Sequence, residues 1–429
     1  MAKVLTRSLL LAAAVAAAAP APAAGQATPA GEKKRVYGSS TTMFLEYQVV
    51  DPDDPTSARY QMPIFEYLTL GSDDVGVRGF SVHLSGFGVG NIRNPIEGDR
   101  FSGDVLVGTV AYRTPKGMFF GRLGRQVLYE SGTTTLMDGA YLRLEPGAHV
   151  ELSAYGGFVP YPRFGYDAMR VVYGGRVGYN PFDWGRIGLS FTEERDDVEG
   201  EAERALSHLG VDYALRRWRW IDLSGFLLAD MVDGGIAESR TVVTTTPHRL
   251  VKLSVDYGLF DPSARIPKTS IFSVFTDTFY HAIGGDVALR TDGWLAASAY
   301  GRCFLYGEGD DGYQVGIRPS VTFRRATRDQ VGIEASRLKA PTNAYWQARA
   351  YGIWSPFRGA DVTLDVDNYF YDSDVKGFDR SHIVRLTAGY EVFRNARVQG
   401  DVAVTVNPDF EQMVSGLVKF TYAFSEYVK

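Results

Sequence analysis

An all-β fold is what this sequence predicts: an antiparallel, up-and-down transmembrane β-barrel of about 22 strands, within a range of 18–22, and without a plug domain. Three observations predict it. Apolar and polar residues alternate with a period of two, in blocks of roughly ten, which is the strand period. Two kinds of connection take turns along the chain, one tight and one mostly longer and acidic, as in a meander with one trimmed rim. No apolar run beyond the extreme N-terminus approaches the roughly 20 residues of a spanning helix.

Composition narrows the class before any element is placed. Of 429 residues, 22% are charged and 45% hydrophobic, with 25 Tyr and 25 Phe spread evenly, which excludes a disordered chain. The single cysteine, Cys303, excludes an intrachain disulfide and a cysteine-based metal cluster. It reads as a small buried residue. The formal net charge of −5 becomes more negative once Lys3 and Arg7 are removed, so no nucleic-acid partner is expected.

The elements run in order from a secretory leader. Lys3 and Arg7 form its charged start, Ser8 to Ala19 its apolar stretch, and the small residues Ala19 to Ala24 its cleavage region. Residues 1–23 are read as signal peptide, 24–36 as a periplasmic N-terminal tail and 37–425 as the barrel. Strand blocks run from 38–50 and 59–70 to 397–407 and 412–424. Val251, Leu253, Val255 and Tyr257 against Lys252, Ser254 and Asp256 show the alternation plainly. The weakest block is Thr269 to Thr276, kept because an even strand count returns both termini to the periplasm. Tight turns fall at Thr114-Pro115-Lys116-Gly117, Glu145-Pro146-Gly147, Thr291-Asp292-Gly293 and Arg394-Asn395-Ala396. Longer outer connections are expected at Glu193 to Glu203, Met231 to Pro247, Gly307 to Gly312 and Tyr371 to Asp379. The longest of these, Met231 to Pro247, has the length to fold inward and narrow the lumen.

The polar positions of the strands give candidate pore-lining residues. The basic ones are Arg122, Arg170, Arg176, Arg186, Arg290, Arg302, Arg318, Arg324, Arg349, Arg385 and Arg397. The acidic ones are Asp256, Asp286, Asp361, Asp365, Asp367 and Asp401, with Glu151 and Asp212 also on polar positions. Gln126 shares a strand face with Arg122 and is placed with them. The block from Arg302 to Arg349 leans cationic and Asp361 to Asp367 anionic; opposed charged ladders would orient dipolar solutes and hydrated sugars.

Two resemblances join this reading. Gly121-Arg122-Leu123-Gly124-Arg125-Gln126-Val127-Leu128, followed by Asp138-Gly139-Ala140, is similar to a pattern in outer-membrane porins of the alginate-export and related types. That similarity implies passive export or diffusion of carbohydrate-like or small solutes. Val414, Val418, Phe420, Tyr422 and Phe424, alternating near the C-terminus, resemble the signal by which the barrel-assembly machinery recognises its clients.

Enzymatic chemistry has no signature here. None of His83, His149, His208, His248, His281 and His382 stands in a metal-ligand spacing. Ser207 and His208 are neighbours on a strand, so their side chains leave on opposite faces. No cofactor is expected. The carboxylates Glu193, Glu194, Asp196 and Asp197 read as a soluble rim, or as a site for divalent cations that bridge lipopolysaccharide phosphates. The sequence therefore points to a porin-like outer-membrane channel for small hydrophilic solutes, with outer-membrane lipid, lipopolysaccharide and the barrel-assembly machinery as partners. The alternative is a sleeve enclosing a periplasmic multihaem cytochrome or a lipoprotein plug.

Overall fold

Each block of alternating residues leaves an apolar face and a polar one, and backbone in lipid must pair every N–H and C=O, so such blocks settle only as strands hydrogen-bonded on both edges. The computed structural model describes residues 34–428 apart from 52–53, 76, 94–99, 131–132, 148, 161–169, 199–200, 219, 262–278, 292, 308, 310, 325–328, 342 and 409. Its strands are β1 (Lys34–Asp51), β2 (Asp54–Gln61), β3 (Pro63–Asp73), β4 (Phe80–Asn91), β5 (Phe101–Arg113), β6 (Phe119–Glu130), β7 (Thr133–Leu144) and β8 (Val150–Phe158). Next come β9 (Arg170–Phe182), β10 (Gly185–Val198), β11 (Glu201–Trp218), β12 (Ile221–Asp230), β13 (Ile236–His248), β14 (Val251–Phe260), β15 (Tyr280–Arg290) and β16 (Leu295–Tyr306). The chain finishes with β17 (Asp311–Arg324), β18 (Asp329–Lys339), β19 (Ala344–Trp354), β20 (Ala360–Val375), β21 (Phe378–Phe393), β22 (Ala396–Asn407) and β23 (Phe410–Val428).

The strands fall into two units. The first comprises residues up to Gly108 with Tyr351–Asn368 and Asp374–Lys429; the second comprises Thr109–Ala350 with Tyr369–Ser373. In the first unit one edge of β1 pairs with β2 near its end, Tyr47 opposite Gln61, and with β3 below, Phe44 opposite Ile64. Thus β2 and β3 are two stretches of one return strand. The break falls at Met62, where the following Pro63 has no N–H to give the ladder. The other edge of β1 pairs with β23, from Lys34 opposite Val428 to Glu46 opposite Gly416. In the second unit β6 to β18 pair each with the next, all antiparallel. Consecutive antiparallel pairing, with the first strand on the last, is an up-and-down β-barrel of 22 strands.

The strand number agrees with the sequence, but its membership differs. Met231 to Pro247 is no inward-folding loop: Ile236–His248 is β13, paired along both edges with β12 and β14. The block at 268–276 lies outside the described residues, and β14 pairs directly with β15, from Val251 opposite Leu289 to Phe260 opposite Tyr280. Two acidic outer connections are shorter than expected because the strands run on. β10 and β11 continue to Val198 opposite Glu201, and β20 and β21 meet at Lys376-Gly377. Those two residues have φ of 50° and 83°, the paired positive angles of a type I′ hairpin turn. Cys303 is exposed on the apolar face of β16, not buried.

Long side chains brace the second unit across three strands at a time. Tyr155 lies opposite Gly174, which lies opposite Thr192, and the Tyr155 hydroxyl reaches Thr192 Oγ1 at 2.6 Å. A Cβ on Gly174 would stand 2.5 Å from that hydroxyl. The pattern recurs where Tyr213 crosses Gly225 to Thr241 at 2.6 Å. It recurs again where Tyr300 crosses Gly316 and donates to Glu334 Oε1 at 2.9 Å. Glycine in the middle strand is what lets the ring lie flat.

Candidate functional site: a charged cavity on the polar face of the second unit

Alternation on β6 sets the geometry of the site. Leu123 and Tyr129 are exposed on one face, whereas Gln126, Leu128 and Glu130 are buried on the other. On that polar face Leu128, Met137, Tyr141, Tyr155 and Val172 form a buried apolar cluster. Next to it opens a cavity of about 640 Å³, lined among others by Glu130, Arg143, Glu151, Arg176, Arg186, Asp212, Phe226 and Arg240.

Arg176 is the hub of this cavity. Its Nε and Nη2 donate to the two oxygens of Asp212, each at 2.9 Å, and its Nη1 to Glu151 Oε1 at 3.1 Å. Glu130 stands 3.9 Å away and accepts from Ser153 Oγ at 3.2 Å. A bidentate guanidinium–carboxylate pair is the strongest neutralising contact two side chains make. Gly188 clears its path, since a Cβ there would fall 2.2 Å from Asp212 Oδ2. Arg143 is paired with Glu145 at 2.9 Å. Arg186 and Arg240, both exposed to the cavity, have no charged or hydrogen-bonding partner among the described residues. The cavity thus sets one central guanidinium, Arg176, against three carboxylates, and Arg186 and Arg240 add two cations with no side-chain partner of their own among the described residues.

Elsewhere in this unit the expected lining residues sit in pairs. Arg170 binds Glu194 at 2.6 Å, and Arg302 reaches over Gly284 to Asp256 at 2.6 Å. Arg318 grips both oxygens of Glu334 at 3.0 and 2.7 Å, with Arg349 4.0 Å from the same carboxylate. The cationic lean of Arg302 to Arg349 is thus offset only in part, Asp256 answering Arg302 while Arg318 and Arg349 share Glu334. Arg122 donates to Gln126 and lies 5.6 Å from the Tyr141 ring centre. Gln126 itself is fully buried and donates to the Gly139 carbonyl at 3.1 Å. Asp286 and Arg290 have no partner among the described residues; Arg324 closes β17. In the first unit Arg397 donates to Asp361, Arg385 stands 3.7 Å from Asp401, and Thr387 donates to Asp401 at 2.6 Å. Asp365 and Asp367 follow Asp361 at alternate positions of β20.

The carboxylate cluster read as a rim is on β10 rather than in a loop. Glu193 is bound to Arg195 at 2.5 Å and Glu194 to Arg170, so these two acids are already satisfied by arginines. Among the described residues no group of three or more His, Cys, Asp or Glu is placed to hold a metal ion. Residues that the sequence did not single out are Glu130, Glu334, Arg143, Arg240 and the bracing tyrosines.

The fold and the charged face define the class, an outer-membrane-type β-barrel. No family model matches the chain and no curated protein does. Among solved structures, the siderophore receptor PirA from Pseudomonas aeruginosa is similar at 12% identity, over 92% of this chain and 81% of that one, with a TM-score of 0.59. The outer membrane protein opdK from the same organism aligns over 92% of this chain and 99% of its own at 10% identity, with a TM-score of 0.47. OccK9 (OpdG) aligns over 92% and 98% at 11% identity, with a TM-score of 0.44. At such identities the likeness concerns the barrel fold.

Proposed function

We propose that the chain is a channel of the bacterial outer membrane that passes small hydrophilic solutes by diffusion, with the cavity of the second unit as its selective element. The observation that carries this reading is the polar face itself, where Arg186 and Arg240 stand without a side-chain partner among the described residues, beside the charged cluster around Arg176. Free guanidinium groups raise the local concentration of anions and of solutes with anionic or polar ends. The apolar face supports placement in lipid, and outer-membrane lipid and lipopolysaccharide are the partners it implies. Insertion by the barrel-assembly machinery, after removal of the leader, belongs to the same reading.

Export of carbohydrate-like solutes, as the alginate-export resemblance implies, is the finer form of this proposal. The residues of that motif serve the wall: Arg125 binds both oxygens of Asp138 at 2.8 Å, and Gln126 is buried against Gly139. They support a barrel of that general build without selecting a solute.

Planar-bilayer recording of the purified protein tests the reading. Discrete single-channel steps are expected, with a reversal potential that moves toward cations in Arg186→Glu and Arg240→Glu. Absence of steps, together with a stoichiometric haem protein or lipoprotein in the preparation, would overturn the channel and favour a sleeve.

A further inference from the structure

The tip of the β6–β7 hairpin does not continue the wall. β7 pairs with β8 from Asp138 opposite Phe158 to Leu144 opposite Leu152, whereas its pairing with β6 runs on to Thr133 opposite Glu130. Arg143, the register partner of Ser153, would stand about 33 Å from Thr133 on a straight strand. Glu130 nevertheless accepts a hydrogen bond from Ser153 at 3.2 Å. The hairpin therefore turns back over the polar face. It bends where Gly124 lies opposite Gly139, and Gly124 has a φ of 112°, a backbone angle that suits glycine. Past the bend Leu128 and Met137 pack with Tyr155 and Val172 and hold the tip down. The tip so placed brings Tyr129, Glu130 and Thr134 to the cavity around Arg176.

Charge is unevenly spread in the space this encloses. Glu130, Glu151 and Asp212 surround Arg176, three anions to one cation. Asp212 gives both oxygens to Arg176, and Glu130 is buried against Ser153. Glu151 gives Oε1 alone, and its side chain is 26% exposed, so it is the carboxylate with surface left for a solute. The balancing positive charge is on Arg186 of β10 and Arg240 of β13, which line the same cavity. By the register Arg186 is two strands from Glu151 and two residues along, a Cα separation of about 12 Å. The cavity thus has a negative pole, completed by the folded tip, and a positive one.

We propose that this cavity is a binding site for zwitterions whose ammonium and carboxylate lie several bonds apart, such as short peptides and ω-amino acids. Glu151 takes the ammonium and Arg186 the carboxylate, with Arg240 extending the positive pole for longer solutes. A plain anion meets the net negative cluster as well as Arg186, and a plain cation meets both arginines. Each gains less than a solute that carries both charges.

The inference rests on the channel reading above, whose solute it names, but its test measures binding without conduction. Glycylglycine is titrated into the full chain in mild detergent and followed by saturation-transfer NMR. Two blocked forms are run beside it: N-acetylglycylglycine, which keeps only the carboxylate, and glycylglycinamide, which keeps only the ammonium. Glycylglycine should bind about fivefold more tightly than either, the scale of one partly exposed ion pair. Arg186→Gln should make it bind no better than glycylglycinamide does, and Glu151→Gln no better than N-acetylglycylglycine does. Heat-modifiable migration reports whether each variant folds; should one fail, the three peptides on the wild-type chain still decide. Equal binding of the three, binding of none, or a preference for either blocked form would overturn the proposal, and single-channel steps recorded from the same preparation would then leave the channel standing. Absence of steps from a protein that binds the peptides in the expected order would remove the channel and keep the site.

Discussion

The two units solve the same problem, holding polar side chains on a barrel wall, by different means. In the second unit Arg176 ties Asp212 and Glu151, and Arg318 ties Glu334, with side chains of 10% exposure at Arg176 and 6% at Glu334. In the first unit the pairs are open: Arg397 and Asp361 are each 34% exposed, and Arg385 is 57% exposed beside Asp401. Its polar face relies instead on hydroxyls and rings, with Thr41 and Thr421 hydroxyls 3.3 Å apart and Phe65, Tyr67 and Phe87 in sequence at 6.3 and 5.9 Å. The first unit also contains the ladder between β1 and β23, which joins residues far apart in sequence. Closure there is a matter of backbone register, whereas the second unit adds specific side-chain ties between strands that already follow one another.

The largest expected effect comes from breaking the register. Deleting residues 410–429 removes β23 and strips the hydrogen-bonding edge of β1, so no heat-modifiable species should form on a gel. A substitution pair sharpens the comparison next. Gly139→Ala in the second unit puts a Cβ 2.2 Å from the Gly156 carbonyl and 2.6 Å from Gly157 Cα, both backbone. It should cost about 3 kcal/mol or more, whereas Gly400→Ala in the first unit meets nothing within 4 Å and should change stability by about 0.5 kcal/mol or less in denaturant titration from vesicles.

Charge removal separates the units further. Arg176→Met leaves Asp212 and Glu151 facing each other in a confined cavity and should destabilise by about 3 kcal/mol. Arg397→Met removes an exposed pair, for which about 0–1 kcal/mol is expected. Equal losses in the two variants would show that exposure does not set the strength of these pairs. The smallest contrast lies in the braces. Tyr155→Phe deletes the buried 2.6 Å contact with Thr192 and should cost about 1 kcal/mol. Tyr37→Phe deletes a half-buried 3.4 Å contact with His83 and should fall below about 0.5 kcal/mol.

The barrel was legible in the sequence because lipid enforces alternation on one face of nearly every strand. Val251 to Phe260 shows it, and so do the even-numbered aromatics of β23. β13 was not legible, since Ser239, Thr241, Val243 and Thr245 on one face differ little in polarity from Glu238, Val242 and Thr244 on the other. Its threonines serve as acceptors and donors for neighbours, Thr241 with Tyr213 and Thr244 with Ser254 at 2.9 Å, and that role leaves no periodic trace. Reading β13 as a loop also hid Arg240, one of the two free cations of the cavity. Pairing was hidden for a different reason. Arg176 meets Asp212 36 positions later, and Arg302 meets Asp256 46 positions earlier, so each partner is fixed by register two strands away and not by local spacing. Glu334 stood out even less, as one acid among many until Arg318 and Tyr300 converge on it.

The rings that cross a glycine have a mechanical corollary. A tyrosine anchored two strands over makes the middle strand a captive, so a fluctuation that unzips one ladder must strain the next as well. Amide hydrogens around Gly174, Gly225 and Gly316 should therefore exchange with deuterium in blocks of three strands, at one shared rate. Breathing of the wall would then be confined to stretches that no ring spans.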